Sequence, residues 1–273
     1  METRELDQSV LFEDEYLVVL NKPAGWVVNR SATYAEPTVQ DWMEARLGLA
    51  SHPQVQIPNT NTGADSDNEY GTPEEIFAQR GGVAHRLDKD TSGVLLLAKT
   101  PVVLAELMRQ FRDKEIKKKY LALVHGKVTP SEGTIRLPMD RSETDFKKFA
   151  VRADGRMSET EYKVKTHFPG LPSGIAPRKG KSYQGFSLLE LWPKTGRTHQ
   201  IRVHMSAIRH PLVADSTYAG RKKVKVDYEW CPRHFLHASE LCFTHPVSQK
   251  QMCFEAPLPE DLKGSLDRFN IST

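Results

Sequence analysis

The run His85-Arg86-Leu87-Asp88-Lys89-Asp90-Thr91-Ser92-Gly93 crowds polar and charged side chains between Gly81-Gly82 and the apolar stretch Val94 to Ala98. Such a segment holds polar groups at a strand's mouth, the kind of loop on a rigid scaffold where catalytic groups tend to sit. Asp88 stands among Arg86, Lys89 and Asp90, whose charges act on its ionisation. A carboxylate kept ionised can serve as a nucleophile. Taken alone, Asp88 and Thr91 would equally cap a turn, so the chemical reading depends on what accompanies them.

Other chemistries lack their anchors. The 273 residues contain no G-x-G-x-x-G, no G-x-x-x-x-G-K-[ST] and no G-x-S-x-G, which removes the usual marks of nucleotide-cofactor, NTPase and serine-hydrolase sites. A glycoside hydrolase would need a second acid working with Asp88, and no paired-acid motif is present. Cys231, His234 and His237 recur at three-residue spacing without a clear fourth ligand, so no metal is expected. Three cysteines, odd in number and clustered, suit free thiols in a reducing compartment.

The nine residues around Asp88, with the Val-Leu-Leu-Leu-Ala-Lys that follows, resemble the signature of the RluA family of RNA pseudouridine synthases. Asn21-Lys22-Pro23-Ala24-Gly25 is similar to that family's early motif, and Lys117-Lys118-Lys119-Tyr120 through Gly126 to its Lys-x-Tyr strand. Gly196-Arg197-Thr198-His199-Gln200-Ile201-Arg202 is similar to its late motif. The order and spacing agree, and the likeness runs from about Leu11 to Leu258.

The resemblance implies a pseudouridine synthase catalytic domain over residues 11–258, without a separate S4-like RNA-binding domain. The activity it implies is isomerisation of specific uridines in structured RNA, ribosomal or transfer, with neither a cofactor nor an obligate protein partner. It assigns Asp88 as the nucleophile, Arg197 as the arginine paired with it, Tyr120 as the ring stacked on the uracil and Ile201 as the apolar neighbour of the base. Arg86, Thr91, His199 and Arg202 are further expected substrate-binding residues, with His204 beside them. Extruding a nucleotide costs a few kcal/mol, and stacking on one aromatic ring returns about 1–3 kcal/mol, so a tyrosine is an adequate anchor. An RNA-binding module of the same fold without chemistry is the alternative, and the joint presence of Asp88, Tyr120 and Arg197 argues against it.

The elements that must position these residues follow from periodicity. Leu17 to Leu20 predicts a buried strand stopped by the Asn21 to Gly25 turn, and Thr38 to Leu47 a short helix capped by Thr38. Ser51 to Arg80 has almost no apolar pattern and is expected as a long loop; Leu171 to Gln184, rich in Pro, Gly and Lys, is expected as a second. Val94 to Ala98 predicts a strand, and Leu104, Leu107, Met108 and Phe111 a helix after it. Tyr120 to Val124, Tyr162 to Thr166, Phe186 to Trp192, Phe235 to Phe243 and Gln251 to Phe254 predict strands, while Ile201, Met205 and Ile208 mark one face of a helix ending at Pro211. Many strands with few helices give an α+β fold with a mixed, mostly antiparallel sheet.

Composition agrees with a globular chain: 38% of residues are hydrophobic, and the net charge is +3. No apolar run approaches the roughly 20 residues of a membrane-spanning helix, and the N-terminus shows no signal or transit pattern, so a cytoplasmic location is expected. Lys117 to Lys119, Lys147-Lys148, Arg178 to Lys181 and Arg221 to Lys225 concentrate positive charge suited to a phosphate backbone.

Overall fold

The computed structural model describes residues 3–31, 34–49, 71–146, 148–175 and 183–269. Residues 51–70 of the first expected loop and 176–182 of the second lie outside the described residues. In chain order the elements are α1 (Arg4–Gln8), β1 (Val10–Glu13), β2 (Leu17–Lys22), α2 (Val39–Arg46), α3 (Pro73–Arg80), β3 (Ser92–Ala98) and α4 (Pro101–Arg112). There follow β4 (Lys117–His125), β5 (Glu132–Arg141), β6 (Phe149–Val151), β7 (Arg156–Phe168) and β8 (Phe186–Pro193). The last are α5 (Gln200–Ala207), α6 (Arg221–Asp227), β9 (Leu236–Thr244), β10 (Gln251–Glu255) and α7 (Glu260–Asp267). The chain forms two compact units, Met1–Lys117 with Glu240–Ala256 and Lys118–Ser239 with Pro257–Thr273.

In the first unit the strands run in the order β1-β2-β3-β9, with β10 on β9. β2 pairs antiparallel with β3 from Leu17 opposite Ala98 to Lys22 opposite Gly93. Every residue of β3 is buried, which explains its unbroken apolar run: a strand covered on both faces has no solvent face to fill with polar residues. Leu95, Leu96 and Leu97 are wholly inaccessible, and each contributes about 1.5–3 kcal/mol by burial. α4 starts with Pro101 behind the N-cap Thr100 and lays Val103, Leu104 and Leu107 onto a core shared with Leu17, Val19, Val94 and Leu96.

In the second unit the order is β9-β4-β8-β7-β5-β6, and the β4–β8, β8–β7, β7–β5 and β5–β6 pairs are antiparallel. Alternation along β4 divides the core. Ala122 and Val124 pack with Ile201 and Met205 of α5, while Leu123 packs with Phe186, Val213 and Phe235. The α+β class and mostly antiparallel sheet expected from periodicity are those of the structure.

Three expectations are corrected. Residues 73–80, expected as loop, are helix α3, because Thr72 and Glu75 form a reciprocal capping box with Pro73 between them and Gly81 ends the helix in a left-handed turn. Only Ile76 and Phe77 offer it an apolar face, too little for periodicity to register. The cysteines are not all free: Cys242 and Cys253 are bonded, since the β9–β10 register sets them directly opposite with Cα atoms 4.1 Å apart. Cys231 alone is a free thiol, and it is buried. Finally, α1, β1, β5, β6, α6 and α7 were not anticipated; β5 carries Pro138 and an irregular burial pattern, and the others are short or highly charged. Among the described residues no helix is long and apolar enough to cross a membrane.

Candidate active site

The Asp88 loop is assembled by main-chain bonding. After α3, Gly82 adopts φ +81° and its carbonyl accepts from Ala98 N at 2.7 Å; a Cβ at this position would stand 2.2 Å from Ala98 O, so only glycine fits. Ala84 N then donates to Leu96 O, and Leu96 N donates to His85 Nε2 at 3.1 Å, so the segment runs beside β3. His85 also lies 4.7 Å from the ring of Phe111. Leu87 is buried, and Asp88 follows half-buried, its carbonyl accepting from Thr91 N at 3.0 Å as the chain turns into β3.

Lys22 closes the base of this turn. Its side chain is wholly buried at the end of β2, and Nζ donates to Pro23 O (2.7 Å), Trp26 O (2.9 Å) and Lys89 O (3.0 Å). Three carbonyls match the three protons of an ammonium and offset the cost of burying it. Gly25 N donates to the same Lys89 carbonyl at 2.8 Å, and Lys89 Nζ sits 5.1 Å above the Tyr34 ring. The Asn21 to Gly25 turn thus holds the residue next to Asp88. Of the expected contacts here, Arg86 is exposed and Thr91 is buried.

In the second unit, residues 194–199 turn from β8 into α5, with His199 in a left-handed conformation at φ +57°. Non-glycine residues rarely adopt that conformation, and such outliers cluster at functional sites. A side-chain network holds the turn. Gln200 Oε1 accepts from Thr195 Oγ1 at 2.7 Å and Arg197 N at 3.0 Å; its Nε2 donates to Glu159 O at 2.9 Å and Thr160 Oγ1 at 3.0 Å. One turn on, His204 bonds Thr160 through Nδ1 at 2.9 Å and Ser158 through Nε2 at 2.8 Å. Burial pushes the His204 imidazole down to about 4, so the ring is neutral at ordinary pH.

Tyr120 is half-buried on β4 opposite Leu191 and packs on the core cluster that contains Ile201, so these two expected residues come together. Arg197 is half-buried in the turn. His199 Nδ1 meets the Tyr218 hydroxyl at 2.9 Å, and Phe149 N donates to the same hydroxyl. Arg202, expected as a substrate contact, is engaged within the protein. It is buried, it donates from Nε and an Nη to both oxygens of Asp215 at 2.8 and 2.9 Å, and its guanidinium lies over the Tyr218 ring. Burial raises the Asp215 carboxyl, but the Arg202 bonds and charge outweigh this and hold it below the usual range. A buried, bidentate pair shapes the turn that carries Tyr218.

Sequence reasoning passed over Lys22 and Gln200 as site residues. Period-two alternation offered a signal for Lys22, which shares a face with Val18 and Leu20; for Gln200 the signal was its i,i+4 relation to His204. Among the described residues no group of three or more His, Cys, Asp or Glu is arranged to hold a metal, and burial pushes the Cys231 thiol up to about 12. A cleft of ≈ 400 Å³ lined by Val128, Arg136, Tyr162 and His210, among others, includes none of the expected site residues.

A family model described as RNA pseudouridylate synthase matches residues 16–207. The chain is 34% identical over 257 residues to an uncharacterized RNA pseudouridine synthase of Bacillus subtilis, YlyB, covering 94% of this chain and 71% of that protein. It is 35% identical to the ribosomal large subunit pseudouridine synthase D of Zymomonas mobilis, covering 96% and 73%. Among solved structures, human RNA pseudouridylate synthase domain containing 1 has the same fold, with a TM-score of 0.65 at 24% identity over 97% of this chain and 89% of that one. Matches of this extent mean that the chain belongs to the RluA family of RNA pseudouridine synthases, isomerases that convert uridine in RNA to pseudouridine.

Proposed function

We propose that this enzyme modifies specific uridines of ribosomal RNA, with Asp88 as nucleophile and residues 11–258 as the catalytic domain. The observation that carries the reading is the treatment of Asp88: a half-buried acid whose neighbour Lys89 is fixed by Lys22 and Gly25, at the mouth of the most deeply buried strand. Ribosomal RNA is favoured over transfer RNA by the names of the relatives, several of which are ribosomal large subunit pseudouridine synthases. Action on ribosomal RNA in turn suits the cytoplasm.

The reaction breaks the N1–C1′ bond of uridine, turns the base and joins C1′ to C5. The proton on C5 is lost and N1 gains one, so substrate and product are isomers and the reaction requires no oxidant or reductant. Attack by Asp88, at the base or at C1′, needs the ionised carboxylate, and Arg197 is the arginine that the family likeness assigns to favouring that form. Tyr120 stacks on the flipped uracil, with Ile201 packing beside it. Arg86, exposed two residues from Asp88, suits a phosphate of the bound strand, and His199 sits at the start of α5 next to Arg197. Thr91 serves by shaping the Asp88 turn from within.

The test is incubation of the purified protein with unmodified large-subunit ribosomal RNA transcript, followed by mapping of pseudouridine. Modification at a discrete position without added nucleotide supports the reading. A protein that modifies transfer RNA and leaves the ribosomal transcript untouched overturns the choice of substrate.

A further inference from the structure

Helix α6 gathers positive charge on one exposed face. Several exposed or half-exposed arginines are matched by acids: Arg30 with Asp41, Arg46 with Glu13, Arg109 with Glu106, Asp113 and Glu115, Arg136 with Glu159, Arg152 with Asp154. Arg221, Lys222, Lys223 and Lys225 fall within seven residues, and among the described residues none of them is in an ion pair. At about 100° per residue, Tyr228, Arg221, Lys225 and Lys222 fall in that order along an arc of about 120°. All four are exposed, Tyr228 by 49%.

The opposite side of the helix is firmly held. Val224 is buried, and the wholly buried Asp227 accepts from Ala214 N at 3.0 Å and from the Tyr183 hydroxyl at 2.9 Å, and meets His125 Nε2 at 2.9 Å. The Tyr183 hydroxyl also reaches Lys223 O at 3.1 Å. The acid nearest in sequence outside this anchor, Glu229, lies beyond the helix end. A rigidly mounted row of unmatched cations with an aromatic ring beside it has the make-up of a nucleic-acid footprint. An anionic membrane would require the apolar face of the helix, and that face is turned into the core.

We propose that the exposed face of α6 docks the phosphodiester backbone of the substrate RNA, with Tyr228 stacking on a base or ribose, as a second contact apart from the pocket for the flipped uridine. The proposal rests on RNA being the substrate and is independent of Asp88 being the nucleophile. Its test compares Lys222→Glu/Lys225→Glu with Lys163→Glu/Lys165→Glu, a control of equal charge change on β7 whose lysines face Glu132 and Glu190. Binding of large-subunit ribosomal RNA transcript is measured from 50 to 300 mM salt. The α6 pair should bind about tenfold or more weakly at 150 mM, with the slope of log affinity against log salt reduced by about 1.5, because each of the two lost phosphate contacts removes about 0.7–0.9. Turnover at saturating RNA should stay unchanged. Tyr228→Ala should weaken binding without altering the slope, since stacking releases no counterion. Equal slopes for the α6 pair and the control overturn the proposal, as does a loss of binding to phosphatidylglycerol vesicles with RNA binding intact. If wild type shows the α6-dependent slope yet forms no pseudouridine, the docking surface stands and the proposed function fails.

Discussion

The Asp88 loop and the Arg197 turn place their key residues by opposite means. Around Asp88 a set of main-chain bonds fixes the path: Gly82 to Ala98, Ala84 to Leu96, Gly25 to Lys89, and Lys22 to three carbonyls. Around Arg197 they run through side chains, from Thr195 and Arg197 N to Gln200, Thr160, His204 and Ser158. Main-chain bonding fixes a path and tolerates most neighbours of Asp88, but it makes glycines and the single buried lysine irreplaceable. A side-chain network has more members, each replaceable at smaller cost, and it carries a titratable ring.

Substitutions can break that contrast. The largest effect is expected of Gly82→Ala, which meets both a positive φ and the Ala98 carbonyl; a loss of about 3 kcal/mol or more in urea unfolding should accompany loss of activity. Acid should act next, and on the second unit. The His204 pKa is lowered from 6.5 to about 4 in the folded state, so the unfolded state binds the proton first. Stability is therefore full above pH 6.5 and falls as pH drops from 6.5 to 4, by at most about 3 kcal/mol, and His204→Gln should flatten that interval. In the first unit, Glu13 is held at about 2 by Arg46 against its burial, with Lys99 assisting, so its contribution is present above pH 4.5 and is lost only between 4.5 and 2.

Lys22→Met keeps most of the side chain's length and apolar stem and removes the donors to three carbonyls, for a cost of about 2 kcal/mol. Because the Lys89 carbonyl is among them, turnover should fall by more than stability alone explains; equal activity per folded molecule would contradict the positioning role. Gln200→Glu retains the acceptor for Thr195 and Arg197 N but loses the donors to Glu159 and Thr160, costing about 1 kcal/mol. Its turnover should fall with little change in KM. A change confined to KM would show that the network serves binding instead.

How much of this was readable beforehand follows the same division. The all-buried strand Val94 to Ala98, the capped helix after Thr38 and the packed face of Ile201 and Met205 follow from local pattern, and all three are present. Helix α3 also had its signals in Thr72, Pro73 and Glu75, but its sparse apolar residues hid it among turn formers. The Cys242–Cys253 bond depends on strand register, which spacing along the chain does not reveal. For the site, motif likeness named residues but not their partners: that Arg202 pairs with Asp215, thirteen residues on, is not written in the motif. Lys22 and Gln200 were visible as letters in motifs, and only their partners distant in sequence gave them roles.

The central claim is that the Asp88 carboxylate performs the chemistry. Asp88→Asn preserves the size of the side chain and the main-chain bonds of the loop while removing the negative charge. Pseudouridine formed in large-subunit ribosomal RNA transcript should be measured over time with this variant at wild-type RNA occupancy. The account predicts RNA binding within about twofold of wild type and no detectable product, since a neutral amide cannot replace the carboxylate nucleophile. Product formation at the wild-type rate would contradict it.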